Sequence, residues 1–111
     1  MSNSNYQKAM DFIHTKSNTQ FYQDLIDESK VIEVNGRPMS LGVWNLICSK
    51  RELTIYIKGG LKPHSGWKVT NVKKYFGLKG SGEKLLEDFL EIKKNIDIIR
   101  EGEVGEEKAN S

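Results

Sequence analysis

Residues 43 to 57 read VWNLICSKRELTIYI, and two periodicities compete for them. Leu53, Ile55 and Ile57 alternate with the residues between them, which is the period of two of a half-buried strand. The same stretch also puts apolar residues on one helical stripe, at Val43, Leu46, Ile47, Leu53 and Ile57. Ser40 could cap such a helix, and the glycines at 59–60 could end it. Periodicity therefore leaves a helix and a β-hairpin equally open.

Helical spacing is clearer on both sides of this stretch. It predicts a first helix over residues 5–16, a second over 20–29, a short one over 67–76 and a long one from 81 to about 100. The long helix has the most regular pattern, with apolar residues at spacings of four and three: Leu85, Phe89, Ile92, Ile96 and Ile99.

An extended segment is expected ahead of the ambiguous stretch. Val31–Val34 is rich in β-branched residues, and the turn signal Asn35-Gly36 follows it. Pro38 has no N–H to donate, so the pairing is expected to end there in a loop.

Length and composition predict one small globular domain. The chain has 111 residues, of which 37% are hydrophobic and 9% aromatic, which is too apolar for wholly disordered protein. It has neither an apolar run of about 20 residues nor a secretion signal, so a membrane protein is excluded and export is disfavoured. The one cysteine, Cys48, fits a reducing compartment. We expect a globular domain over residues 5–100, a flexible segment at 1–4 and a disordered acidic tail at 101–111.

The net charge of +2 hides a marked asymmetry along the chain. Residues 50–79 carry eight basic side chains and one acidic one, for a net charge of +7. Residues 1–49 sum to −1 and residues 80–111 to −4. A concentration of positive charge of this kind attracts either a polyanion or an acidic protein surface.

No residue pattern indicates an active site. His14 and His64 lie far apart in sequence, and a single cysteine gives no spacing typical of metal ligands. The glycine-rich segment 77–82 fails as a phosphate-binding loop, because Glu83 stands where that loop needs lysine. We therefore expect no enzymatic activity, no metal and no cofactor.

One ordered series of residues resembles a known family. It comprises Phe21, Leu25, Pro38, Leu41, Leu46, Gly59-Gly60, Trp67, Val72, Gly77-Leu78, Leu85 and Phe89. This series resembles the AT-rich interaction domain over about residues 6–99. Its most telling parts are the glycine pair, the tryptophan after it and the helix that ends at 76–78.

The resemblance implies an all-α domain of five or six helices that contains a helix-turn-helix, and it makes residues 43–58 a helix. A small α+β fold with a short antiparallel sheet is the alternative. Members of the family are DNA-binding modules of chromatin-remodelling or transcription-regulating proteins. The resemblance thus implies a nuclear, monomeric domain with duplex DNA and subunits of a chromatin-associated complex as partners, and no membrane.

The resemblance also assigns candidate DNA-binding residues around the helix-turn-helix. Lys68, Lys73, Lys74 and Lys79 would contact phosphates, Ser81 and Lys84 would approach base edges, and Arg37 would reach from a loop. Acidic residues at 83, 87 and 88 would be repelled by phosphates, so weak or non-sequence-specific binding is expected.

Three alternatives stay open. The basic segment 50–79 could dock an acidic protein partner on the same helical scaffold. The end of the long helix could serve a partner helix through Ile92, Ile96 and Ile99, although packing in the domain's own core is favoured. Trp44 and Trp67 could stack on bases, but a domain this small is expected to need them for its core.

Overall fold

In the computed structural model of the protein, the backbone is described for residues 2–110 and the side chains for residues 5–102. Within these limits there are five helices and two strands: α1 (Ser2–His14), α2 (Gln20–Ile26), β1 (Val31–Val34), β2 (Arg37–Ser40), α3 (Leu41–Gly59), α4 (Val69–Phe76) and α5 (Gly82–Asn110). The fold is mostly helical with a small two-stranded antiparallel sheet. The prediction of a purely all-α domain is therefore wrong in this respect. The alternative prediction, a small α+β fold with a short antiparallel sheet, included the sheet that is observed.

The ambiguous stretch is helical and forms the middle of α3. The Ser40 hydroxyl caps this helix by accepting a hydrogen bond from the Val43 N–H at 3.3 Å. Gly60 ends it in the left-handed region, with a φ of 71°. The buried residues of α3 are Gly42, Val43, Leu46 and Leu53.

The sheet is a hairpin that precedes α3. Asn35 and Gly36 both have positive φ, at 54° and 79°, which is the backbone of a type I′ turn. Pro38 pairs with Glu33 in the ladder, so the prediction that pairing ends at the proline is wrong. The physical reason is that both strands of a two-stranded sheet are edges, where the missing N–H can face away from the partner strand.

The core is built around aromatic rings from three helices. Phe76 of α4 lies 5.0 Å from Phe21 of α2 and 5.2 Å from Phe89 of α5, measured between ring centroids. All three rings are fully buried. Leu46 and Leu53 of α3 belong to the same core cluster. Helix α4 therefore packs, through Phe76, in a core that α2, α3 and α5 share.

At the ends of the chain, helix α1 begins at Ser2 and α5 continues to Asn110. The flexible segment expected at 1–4 and the disordered tail expected at 101–111 stay predictions. Residues 1 and 111 lie outside the described backbone. Over the part that is described, no helix has the length and hydrophobicity needed to cross a membrane.

Candidate nucleic-acid interface

Helices α4 and α5 are joined by a turn that spans residues 77–81, and this α4–turn–α5 unit lies where the resemblance implies a helix-turn-helix. Gly77 ends α4 in the left-handed region, with a φ of +68°. The N–H groups of Gly77 and Leu78 both donate to the carbonyl of Lys73, the second at 2.8 Å, and Leu78 is buried. Together with the contact between the Phe76 and Phe89 rings, this cap fixes where α5 starts relative to α4.

The turn is also held from outside the unit. Gly77 lies against Thr19, and a Cβ on Gly77 would come within 2.7 Å of the Thr19 Cγ2 atom. The Lys16 ammonium donates to the Gly77 carbonyl at 3.3 Å. Burial lowers the pKa of Lys16 below its usual value, and the nearby charge of Asp88 partly offsets this. The loop between α1 and α2 therefore holds the turn in place through Lys16 and Thr19.

Most of the candidate DNA-binding residues lie on this unit. Lys68 precedes α4, Lys74 is in its last turn and Lys79 is in the connecting turn, and all three side chains are exposed. Ser81 and Lys84 are exposed at the start of α5, whereas Lys73 is half-buried. The structure thus brings six of the seven candidates into one unit. The seventh, Arg37, is exposed at the start of β2, on the hairpin.

Two ion pairs change the charge at the start of α5. Lys58 of α3 lies 2.9 Å from a carboxylate oxygen of Glu83, and Lys84 lies 3.0 Å from Asp88. The hydrogen bond and the charge of Asp88 raise the pKa of Lys84. Both pairs are exposed, so each contributes little to stability. Two of the three acidic residues expected to repel phosphates, Glu83 and Asp88, are thus paired with a lysine. The pairing with Asp88 also occupies Lys84, which is one of the candidate DNA-binding residues.

The remaining cations of the unit have no such partners. Within the described part of the chain, no carboxylate lies within 4.0 Å of the ammonium groups of Lys68, Lys73, Lys74 or Lys79. Three of them are exposed, so the surface around the turn carries uncompensated positive charge. Such a surface is suited to phosphate oxygens.

A buried polar network fixes the base of α4. The Asp24 carboxylate of α2 accepts hydrogen bonds from the Tyr75 hydroxyl at 2.8 Å and from Lys30 at 3.0 Å, and Asn45 of α3 donates to the Tyr75 oxygen at 2.9 Å. Burial raises the pKa of Asp24, but hydrogen bonds from Lys30, Tyr75 and Gln20 outweigh this, so its pKa lies below the usual value. Burial is also the main reason that the pKa of Tyr75 is raised. The network ties α4 to α2 and α3.

Sequence patterns could not reveal Lys16 or the network around Asp24. Lys16 and Gly77 are 61 residues apart, and Asp24 and Tyr75 are 51 apart. A buried aspartate or a half-buried lysine has no local periodicity of its own. The only signal in the sequence was indirect, because Asp24 falls within the short helix α2 beside the buried Phe21.

Trp67 is buried, with 6% of its surface exposed, and its ring lies 4.9 Å from that of Tyr56. Its Nε1 atom is buried without a hydrogen-bond partner among the described residues. Trp44 is half-buried. Of the two readings of Trp67, the structure shows core packing, so this ring is not available to stack on a base.

The far part of α5 also belongs to the core. Ile92 and Ile96 are 0% and 3% exposed, and Ile99 is partly buried against the same cluster. These residues pack within the domain, the arrangement that was favoured over a surface for a partner helix. Their spacing of three and four residues places them on the side of α5 that packs against α1 and α3.

Among the described residues, no three His, Cys, Asp or Glu side chains come together in a group that could hold a metal ion.

Comparison with known proteins found no matching family model, no matching curated protein and no matching solved structure.

Proposed function

We propose that this protein is a non-enzymatic DNA-binding module similar to the AT-rich interaction domain, within a nuclear chromatin or transcription protein. It binds duplex DNA weakly or without sequence specificity through α4, the turn at 77–81 and the start of α5. One observation carries the proposal. Exposed lysines without carboxylate partners surround the turn of a helix-turn-helix whose geometry is held by Gly77.

Lys68, Lys74 and Lys79 are the phosphate contacts in this proposal, because their ammonium groups are exposed and unpaired within the described chain. Lys73 is half-buried on α4 and contributes less. Arg37 lies on the hairpin and would make a separate contact with the DNA backbone.

Readout of bases is weak in this arrangement. Ser81 and Lys84 are the polar groups at the start of α5 that could approach base edges, and Lys84 must first leave Asp88. Discrimination between bases usually relies on bidentate contacts from Arg, Lys, Asn or Gln, and the first two turns of α5 carry only one of these, Lys84, which is paired with Asp88. The affinity therefore depends on phosphates, and AT-rich and GC-rich duplexes are expected to bind about equally.

Fluorescence anisotropy with labelled AT-rich and GC-rich duplexes tests the proposal. The three lysine contacts contribute about −2.7 to the slope of log K against log salt, which is about a 40-fold loss of affinity from 50 to 200 mM salt. Replacing all three lysines by glutamine is expected to remove about this much of the slope and to leave the smaller part that comes from Arg37 and Lys73. The control removes the same charge elsewhere from exposed side chains, as Lys8→Gln/Lys50→Gln/Lys94→Gln.

The charge-matched control makes the result decisive. Equal loss of binding in both triple variants would show that net charge alone attracts DNA and would contradict the site. Absence of binding at 50 mM salt would overturn DNA binding itself and leave an acidic protein partner as the function of the basic segment 50–79.

A further inference from the structure

Helix α3 has a second apolar face that the described chain leaves uncovered. Its outer stripe consists of Trp44, Ile47, Cys48, Arg51, Ile55 and Lys58, which recur at helical spacing and lie opposite the buried residues of this helix. Ile47 and Ile55 are each 37% exposed, and Trp44 and Cys48 are half-buried. At 1.5 Å per residue the stripe is about 21 Å long.

Such a helix is unusual at a protein surface. A helix that covers a core on one side normally carries polar residues on the other, and a helix that is apolar on both sides is normally buried on both. Single exposed apolar residues are common and require no explanation. Here the apolar residues at 44–55 follow one line over about three turns, with Arg51 among them, and helical spacing of this kind is what a partner helix recognises.

We propose that the outer stripe of α3 docks an amphipathic helix from an acidic protein partner. Arg51 lies in the middle of the stripe and Lys50 flanks it, both exposed, whereas Lys58 at its end is paired with Glu83. Glu52 is the one acid of α3; it lies 3.8 Å from His64 and one helical turn from Cys48, at the edge of the stripe. A partner with leucines on one face and carboxylates beside them complements both the isoleucines and the cations.

A second copy of this chain fits the stripe less well. In an antiparallel pair of α3 helices, Ile47 would meet Ile55 of the other copy, but Arg51 would then face Arg51 in the centre. Like charges placed opposite each other oppose association. Duplex DNA fits no better, because Ile47 and Ile55 would be pressed against phosphates. An amphipathic acidic helix can cover the isoleucines of the stripe with its apolar face and pair its carboxylates with Arg51. This site is separate from the turn at 77–81 that is proposed to bind DNA.

Titration of the protein with a synthetic peptide tests this proposal. The probe is a helical peptide of about 20 residues, with leucines on one face and glutamates elsewhere, and the reference is a scrambled peptide of the same composition. Trp44 reports docking by a blue shift of its emission, because it is half-exposed while Trp67 is already buried. We expect a saturable shift with the patterned peptide and none in Trp44→Phe.

Variants locate the binding. Ile47→Glu/Ile55→Glu and, separately, Arg51→Glu are expected to weaken peptide binding at least about tenfold. Ile26→Glu, at another exposed isoleucine, and Lys74→Glu, on the proposed DNA surface, are expected to leave it unchanged. Circular dichroism confirms that each variant is folded.

Three results would overturn the proposal: equal binding of the scrambled peptide, no saturable shift with the patterned one, or an equal loss in Ile26→Glu. A concentration-dependent dimer in sedimentation velocity that Ile47→Glu abolishes would assign the stripe to a second copy instead. Loss of DNA binding in Lys74→Glu has no bearing on these outcomes, so the two proposals fail separately.

Discussion

Gly77 ends α4 with a left-handed φ of +68°, and a Cβ at this position would lie 2.7 Å from Cγ2 of Thr19. Gly77→Ala therefore combines backbone strain with a steric clash, and we expect a loss of about 1 to 3 kcal/mol in the free energy of unfolding. Gly59→Ala is the matched control. Its Cβ would meet no atom within 4 Å at the end of α3, so a small gain of about 0.5 kcal/mol is expected.

Urea denaturation of the two alanine variants measures this difference. Adding Thr19→Ser to Gly77→Ala removes the clashing methyl but keeps the hydroxyl that caps α2. Part of the loss should then be recovered in a double-mutant cycle. Complete additivity of the two substitutions would show that the contact with Thr19 carries no energy.

Among the elements, α5 gives the sharpest contrast between two neighbouring faces. Ile96 is 3% exposed and belongs to the core cluster, whereas Leu90 is 37% exposed. Ile96→Ala is expected to cost about 2 to 4 kcal/mol, and Leu90→Ala less than about 1 kcal/mol. Thermal unfolding followed by circular dichroism checks both. Similar small costs would mean that this part of α5 is not packed in the core.

Helix α3 shows why periodicity alone could not identify it. Ile47 and Ile55 lie on its outer stripe, while Leu46 and Leu53 face the core, so apolar residues occur at both helical and alternating positions. Helices α1, α2 and α4, each apolar on one side only, were predicted from the sequence to within a few residues at each end. The strand β2 was missed because Pro38 is tolerated at an edge.

At the scale of the whole molecule, the Asp24 network couples three helices and makes stability depend on pH. The folded-state pKa of Asp24 lies below its usual value of 3.8. Its contribution to stability is therefore present above that pH and is lost as pH falls through the folded-state pKa. Asp24→Asn is expected to lower the free energy of unfolding by about 1 to 3 kcal/mol at pH 7 and to flatten its decline in acid.

Urea titrations at pH 7, 5, 4 and 3 follow this effect. Glu87→Gln removes an exposed carboxylate from α5 and is expected to leave the acid profile unchanged. A profile for Asp24→Asn that still parallels the parent protein would assign the acid sensitivity to other carboxylates. Tyr75→Phe removes one of the hydrogen bonds to Asp24 but leaves those from Lys30 and Gln20, so a smaller loss is expected.

The candidate site was predictable only where it rests on local sequence. Lys68, Lys74 and Lys79 lie in the basic segment 50–79 and were assigned to the site by the resemblance, and all three lie on the α4–turn–α5 unit. The pairing of Lys84 with Asp88 follows from helical spacing once α5 is known. The hydrogen bond from Lys16 to the Gly77 carbonyl joins segments that are 61 residues apart, and no local sequence pattern indicates it.

The first helix, α1, packs most extensively against the last, α5. Helix α5 is synthesised after the other elements, so Ile13 of α1 is made before the surface that covers it exists. At about 5 to 20 residues per second, synthesis of the 29 residues of α5 takes about 1 to 6 s. During that interval the apolar side of α1 lacks its partner, so we expect the domain to complete its packing only once α5 has been made.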